Sequence, residues 1–150
     1  MQKLFSLILS MFILASCTSK TNSPETPIDK EINMTLSIDN QELNVTWEDN
    51  DSVNAIKGIL PLTINMHQYG GFEQTGSIGQ SIVKNDSQIN VVPGDIVLYN
   101  GNAISVFYNN SSWSYTRLGH INLDNSELNV LLNKSYVTFV IKGEEKWKKY

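Results

Sequence analysis

The chain has 150 residues and a formal charge of −4 at pH 7. That length suits one domain, and a net acidic chain lacks the basic face that nucleic-acid binding requires. One cysteine excludes an internal disulfide; with only two histidines, far apart in sequence, no metal ligand set is expected, and no cofactor.

Residues 1–16 read as a leader rather than as part of the fold. Lys3 supplies a short positive region, and Leu4 to Ala15 is apolar but too short to span a bilayer as a permanent helix. The stretch ends Leu14-Ala15-Ser16-Cys17, which resembles the lipobox of bacterial lipoproteins, where the cysteine becomes the lipidated first residue. The resemblance implies a membrane anchor at Cys17 and a place in the bacterial cell envelope. No acidic run follows Cys17, which favours a protein facing the periplasm. Residues 17–30 are rich in Ser, Thr and Pro with one apolar residue, and read as a flexible tether.

Glu31 to Ile38 alternates at period two and predicts a strand; after the Asp39-Asn40 turn, Glu42 to Trp47 predicts a second. Glu48 to Ser52 gathers carboxylates and cap residues ahead of a helix with Val53, Ile56, Ile59 and Leu60 on one stripe, ended by Pro61. Asp51-Ser52-Val53 also resembles an O-glycosylation tripeptide of some bacteria, although capping explains the same residues. Leu62 to Tyr69 alternates cleanly, with Leu62, Ile64 and Met66 inward and Thr63, Asn65, His67 and Tyr69 outward. Gly70-Gly71 breaks that strand, and Phe72 to Asn90 reads as loops with short strands.

Pro93 to Tyr108 contains the strongest local signal. Asn100-Gly101 between two apolar runs predicts a hairpin with a two-residue turn, setting Tyr99 opposite Asn102, Leu98 opposite Ala103 and Val97 opposite Ile104. Both faces of that hairpin carry apolar side chains, so both should be covered, as in a barrel with helices packed outside. Trp113 to Ile121 is a further strand. Asp124 or Ser126 can cap a short helix bearing Leu128, Leu131 and Leu132, and Ser135 to Ile141 is the last strand. The domain is expected over residues 31–142, followed by a basic, aromatic-tipped tail over 143–150.

The order P-L-T-I-N-M, Y-G-G-F, P-G-D-I-V-L-Y-N-G-N-A-I-S-V-F-Y and Y-T-R-L-G-H-I resembles the bacterial cyclophilin-like domains. The resemblance covers roughly Ile32 to Ile141. It implies an all-β fold: a closed barrel of about eight strands with two short capping helices. Active cyclophilins carry an arginine on the outward face of the strand corresponding to Leu62–Tyr69. Here none of the outward residues is arginine, and the chain's single arginine, Arg117, lies on another strand.

Trp113, Tyr115 and Arg117 share one face at strand spacing, and these residue types are frequent binding anchors. With Tyr69, Phe72 and Glu73 from the Gly70-Gly71 turn they form the candidate ligand face, with Arg117 expected to pair with Glu73 or an Asp, or Glu73 to compete with an anionic ligand for it. Aromatic walls and one guanidinium suit a peptide or a small organic anion. The expected function is thus a non-catalytic binding module on a lipid anchor; the alternative is a peptidyl-prolyl isomerase with Arg117 as a relocated arginine. There is no catalytic residue to name. Cys17→Ser is expected to leave the chain unlipidated, so that it no longer partitions with membranes in processed form. Mass spectrometry of the mature protein from its native host checks this, and an unmodified Cys17 there would refute it.

Overall fold

The computed structural model describes residues 30–147. The leader, Cys17, the tether up to residue 29 and residues 148–150 of the tail lie outside the described residues. The strands are β1 (Lys30–Ile38), β2 (Gln41–Leu43), β3 (Val45–Trp47), β4 (Leu62–Tyr69), β5 (Glu73–Ser77), β6 (Ser87–Val91), β7 (Asp95–Tyr99), β8 (Ala103–Phe107), β9 (Ser111–Ile121) and β10 (Tyr136–Trp147). Helix α1 spans Asp51–Lys57 and α2 spans Asn125–Leu132.

The sheet order is β2-β1-β10-β4-β5-β8-β7-β9-β3. Its two outermost strands, β2 and β3, are separated in the chain by Asn44 alone. Leu43 pairs with Leu36 of β1, and Val45 pairs with Ile121 of β9. One bent strand therefore joins both edges and nearly closes a barrel of nine strands, or eight with β2 and β3 counted together. Alternation fills the inside: Leu62, Ile64 and Met66 of β4 are buried, as are Leu36 and Ile38 of β1 and Phe139 and Ile141 of β10.

The helices close opposite ends. β10 runs antiparallel to β4, with Tyr136 opposite His67 and Ile141 opposite Leu62. The chain entering β10 from α2 and the chain entering β4 from α1 must therefore stand at different ends. Val53 and Ile56 of α1, and Leu128, Leu131 and Leu132 of α2, join the same interior cluster as the strands. The Asn50 side chain caps α1 by accepting from the Val53 N–H at 2.9 Å. Asp124, rather than Ser126, caps α2: it accepts from the Glu127 N–H at 2.8 Å, and Glu127 accepts from the Asp124 N–H at 3.1 Å. Helix α1 ends earlier than its apolar stripe suggests, at Lys57, with Gly58 as C-cap, so Ile59 and Leu60 lie beyond it. Ser52 is buried and donates to the Val83 carbonyl at 2.7 Å, so the folded chain offers no acceptor hydroxyl at the Asp51-Ser52-Val53 tripeptide.

Three further expectations are corrected. The Asn100-Gly101 turn forms with positive φ at both residues, and Asn102 N–H bonds the Tyr99 carbonyl at 3.2 Å. The ladder beyond it, however, pairs Tyr99 with Ala103 and Leu98 with Ile104. Asn102 is an extra residue, and the register sits one position from the two-residue prediction. That shift keeps Ile96, Leu98, Ile104 and Val106 together on the interior face. Next, β10 does not stop at Ile141. Gly143 to Trp147 continue it, paired with Lys30 to Met34 of β1, and Lys30 pairs with Glu145. Most of the expected tail is strand. Finally, the outer face of the β7–β8 hairpin is covered, but by no helix. Val97, Phe107, Tyr115 and Val91 form a second cluster, with Ile89 of β6 and Phe72 packed against it.

Closure relies on a close approach at Gly119, where an added Cβ would stand 2.8 Å from the Thr46 carbonyl oxygen, a backbone atom of β3. Gly119→Ala is expected to pry β3 from β9 and to lower stability by about 1–3 kcal/mol. Urea unfolding followed by circular dichroism measures it, and an unchanged midpoint would contradict the account.

Candidate functional site

β9 is longer than its neighbours and serves two sheets. Ser111 to Tyr115 pair with β6, whereas Thr116 to His120 pair with β7. Between the pairs Ile96–Gly119 and Val97–Arg117 the register shifts. The N-terminal half of β9 thus stands off the barrel with β6, over the outer face of β7 and β8. A recess of about 460 Å³ opens between this ribbon and the β4–β5 turn, lined by Tyr69, Phe72, Glu73, Trp113 and Tyr115 among others.

The turn is shaped by sequence. Gly70 and Gly71 both have positive φ, and a Cβ on Gly70 would overlap the Phe72 ring. The Phe72 carbonyl accepts from Tyr108 N–H at 3.0 Å and Asn109 N–H at 3.2 Å, while the Asn109 side chain donates to the Gly71 carbonyl at 3.0 Å. So held, Phe72 stacks on Phe107 with centroids 6.3 Å apart and meets Tyr69 edge-on at 6.0 Å. Phe107 meets Tyr115 at 5.6 Å, and Tyr115 meets Tyr99 at 6.0 Å. Five rings make one continuous aromatic cluster; Tyr69, Phe72, Tyr99 and Tyr115 form the wall of the recess, and Phe107 is buried behind them. Trp113 is 58% exposed, at the rim.

Glu73 lies in this wall and is only 7% exposed. Burial pushes its carboxyl above the ordinary glutamate value, and a hydrogen bond with the Ser105 hydroxyl opposes that rise. Ser105 also bonds Thr75 at 2.9 Å. The Glu73 Oε2 atom is buried with no hydrogen-bond partner. Burial also raises the Tyr115 phenol, as do the charge of Glu73 and the neighbouring Tyr99 and Tyr69, against a Ser111 hydrogen bond.

Arg117 stands elsewhere. It shares a face of β9 with Trp113 and Tyr115, but its guanidinium turns to the buried Asp95 carboxylate at 2.5 Å and the Asn90 carbonyl at 3.1 Å. Asp95 also binds His120 Nδ1 at 2.9 Å and accepts from the Val92 N–H at 3.0 Å. Arg117 lines a separate polar recess with Asn50, Ser52 and Thr116. Of the two expected partners, Glu73 or an Asp, Arg117 therefore takes an Asp, the buried Asp95, and not Glu73. Tyr99 and Thr75 also line the aromatic recess, and sequence reasoning missed them. The signal for Tyr99 was present, since it stands with Val97 on the outward face of β7. Among the described residues, no three His, Cys, Asp or Glu side chains gather as a metal site.

An all-β barrel closed by short helices, with an aromatic recess on its outer face, defines the class of protein. The model of the cyclophilin-like family matches residues 36–142, and the chain belongs to that family. A search of curated proteins finds no match.

The sign of the Glu73 shift has a consequence for stability. Its folded pKa is raised, so the stabilisation it gives is complete below the unfolded value and is lost as pH rises through the folded pKa. Glu73→Gln is therefore expected to raise stability by about 1–3 kcal/mol at pH 7.5. The gain should shrink as pH falls below the ordinary glutamate pKa of 4.5. Denaturant melts of both proteins across pH test this; a difference that grows toward low pH would carry the wrong sign.

Proposed function

We propose that this chain is a lipoprotein of the bacterial cell envelope, anchored through Cys17 and facing the periplasm, whose cyclophilin-like domain binds a peptide or small ligand without catalysis. The observation that carries the binding reading is the aromatic recess of about 460 Å³, with Tyr69, Phe72, Tyr99 and Tyr115 in its wall and Trp113 at its rim. Recesses of this size, mostly apolar with a few polar groups, suit small ligands or a side chain of a peptide.

The non-catalytic part rests on where charge lies. Prolyl isomerisation in the active relatives needs a preorganised donor beside the twisting amide. Outward residues of β4 are Thr63, Asn65 and His67, and the guanidinium of Arg117 is committed to Asp95 and Asn90. Among the described residues, no Lys, Arg or His lines the aromatic recess. The anchor reading rests on Leu14-Ala15-Ser16-Cys17 directly after an apolar segment.

The purified full chain is expected not to accelerate cis/trans interconversion of X-Pro peptides, a process of tens of seconds or more uncatalysed. A protease-coupled or NMR exchange assay measures it. Strong acceleration that disappears in Arg117→Ala would establish the isomerase alternative instead.

A further inference from the structure

The domain buries two carboxylates, and they are treated differently. Asp95 is paired with Arg117 and His120 and accepts a backbone N–H. Among the described residues, Glu73 has no cation beside it, and one of its oxygens has neither solvent nor a hydrogen-bond partner. A buried, unpaired carboxylate is costly to a fold unless something compensates it. It is Glu73, not Asp95, that lines the aromatic recess.

The groups around Glu73 come from every strand that faces it. Tyr69 ends β4, Thr75 is on β5, Tyr99 is on β7, Ser105 is on β8, and Tyr115 is on β9. All are neutral hydroxyls, able to accept an N–H hydrogen bond. The ring faces of Phe and Tyr attract cations. An anion entering here would meet the carboxylate and no compensating base. This reverses the ligand charge that a guanidinium in the recess would have favoured.

We propose that the recess selects an organic cation bearing N–H donors, a primary ammonium or a guanidinium, with Glu73 as counter-ion and the aromatic rings as walls. The proposal rests on reading the recess as the ligand site, and adds the charge and donor character of the ligand. A lysine or arginine side chain of a peptide and a free small amine share this chemistry.

NMR titration of the full chain in a non-ionic detergent tests it with four small probes and two peptides. The small probes are n-butylammonium, n-butylguanidinium, n-butanol and butyrate. The peptides are an acetylated, amidated Gly-Lys-Gly and its norleucine counterpart. Both cations are expected to shift resonances of Glu73, Tyr99 and Trp113, and to bind about tenfold or more tightly than butanol or butyrate. The lysine peptide should exceed the norleucine peptide by a similar factor. Tighter binding of the lysine peptide than of butylammonium identifies a peptide side chain as the source; equal binding identifies a small amine. Glu73→Gln should remove the cation preference, so that both cations bind no more tightly than butanol. Should that variant fail to fold, the unmodified chain gives the same answer. Cation binding should weaken as pH falls through the Glu73 pKa, while butanol binding stays flat.

Equal binding of cation and alcohol, or cation binding that ignores pH, overturns the proposal but leaves the recess as a ligand site. Absence of any shift at the recess with every probe overturns both.

Discussion

Strand β9 has to satisfy two partners, and the carboxylate of Asp95 holds it where it passes from one to the other. On one side of that point β9 belongs to the barrel, paired with β7 and β3. On the other it pairs with β6 and leaves the barrel surface. Asp95 begins β7 and grips Arg117 and His120 of β9, on either side of the shifted register. It also accepts from Val92, in the turn between β6 and β7. Three segments thus meet on one buried charge. Removing a partner of such a charge costs roughly 3–5 kcal/mol. An exposed pair such as Lys30–Glu145 contributes at most about 1 kcal/mol. Arg117 therefore acts mainly by fixing the path of β9.

The recess follows from that path. Were β9 to stay in the barrel along its whole length, the outer face of β7 and β8 would expose Val97 and Phe107. With the β6–β9 ribbon laid over it, Val97 and Phe107 become a second small core under Tyr115 and Val91. At the edge of the cover, where the ribbon faces the β4–β5 turn, the packing stays incomplete and the wall of Tyr69, Phe72, Tyr99 and Tyr115 is left open. A cleft beside a covered apolar face is a common place for a ligand, since burial is already partly in place there.

The same geometry separates the two acids. Asp95 sits at the seam, within reach of the basic residues of β9. Glu73 on β5 pairs with Phe107 on β8, among neutral hydroxyls and rings. Both are almost fully buried, yet only one has counter-charge from the protein.

Much of the scaffold was determined by sequence alone. Period-two alternation in Leu62–Tyr69, the Asn100-Gly101 turn and the stripes that became α1 and α2 are local patterns, because strand pleat, turn dihedrals and helix pitch are local properties. The face shared by Trp113, Tyr115 and Arg117 was legible for the same reason. Tertiary structure decided the rest. The extra residue at Asn102 shifts the hairpin register because the partner strand must present Ile104 and Val106 inward. Residues 143–147 became strand because β1 was there to pair with them. Arg117 went to Asp95 rather than Glu73 because a long side chain's partner depends on which acid the fold brings within reach. Which of two buried carboxylates remains unpaired is a property of distances between strands far apart in the chain, and no local pattern encodes it.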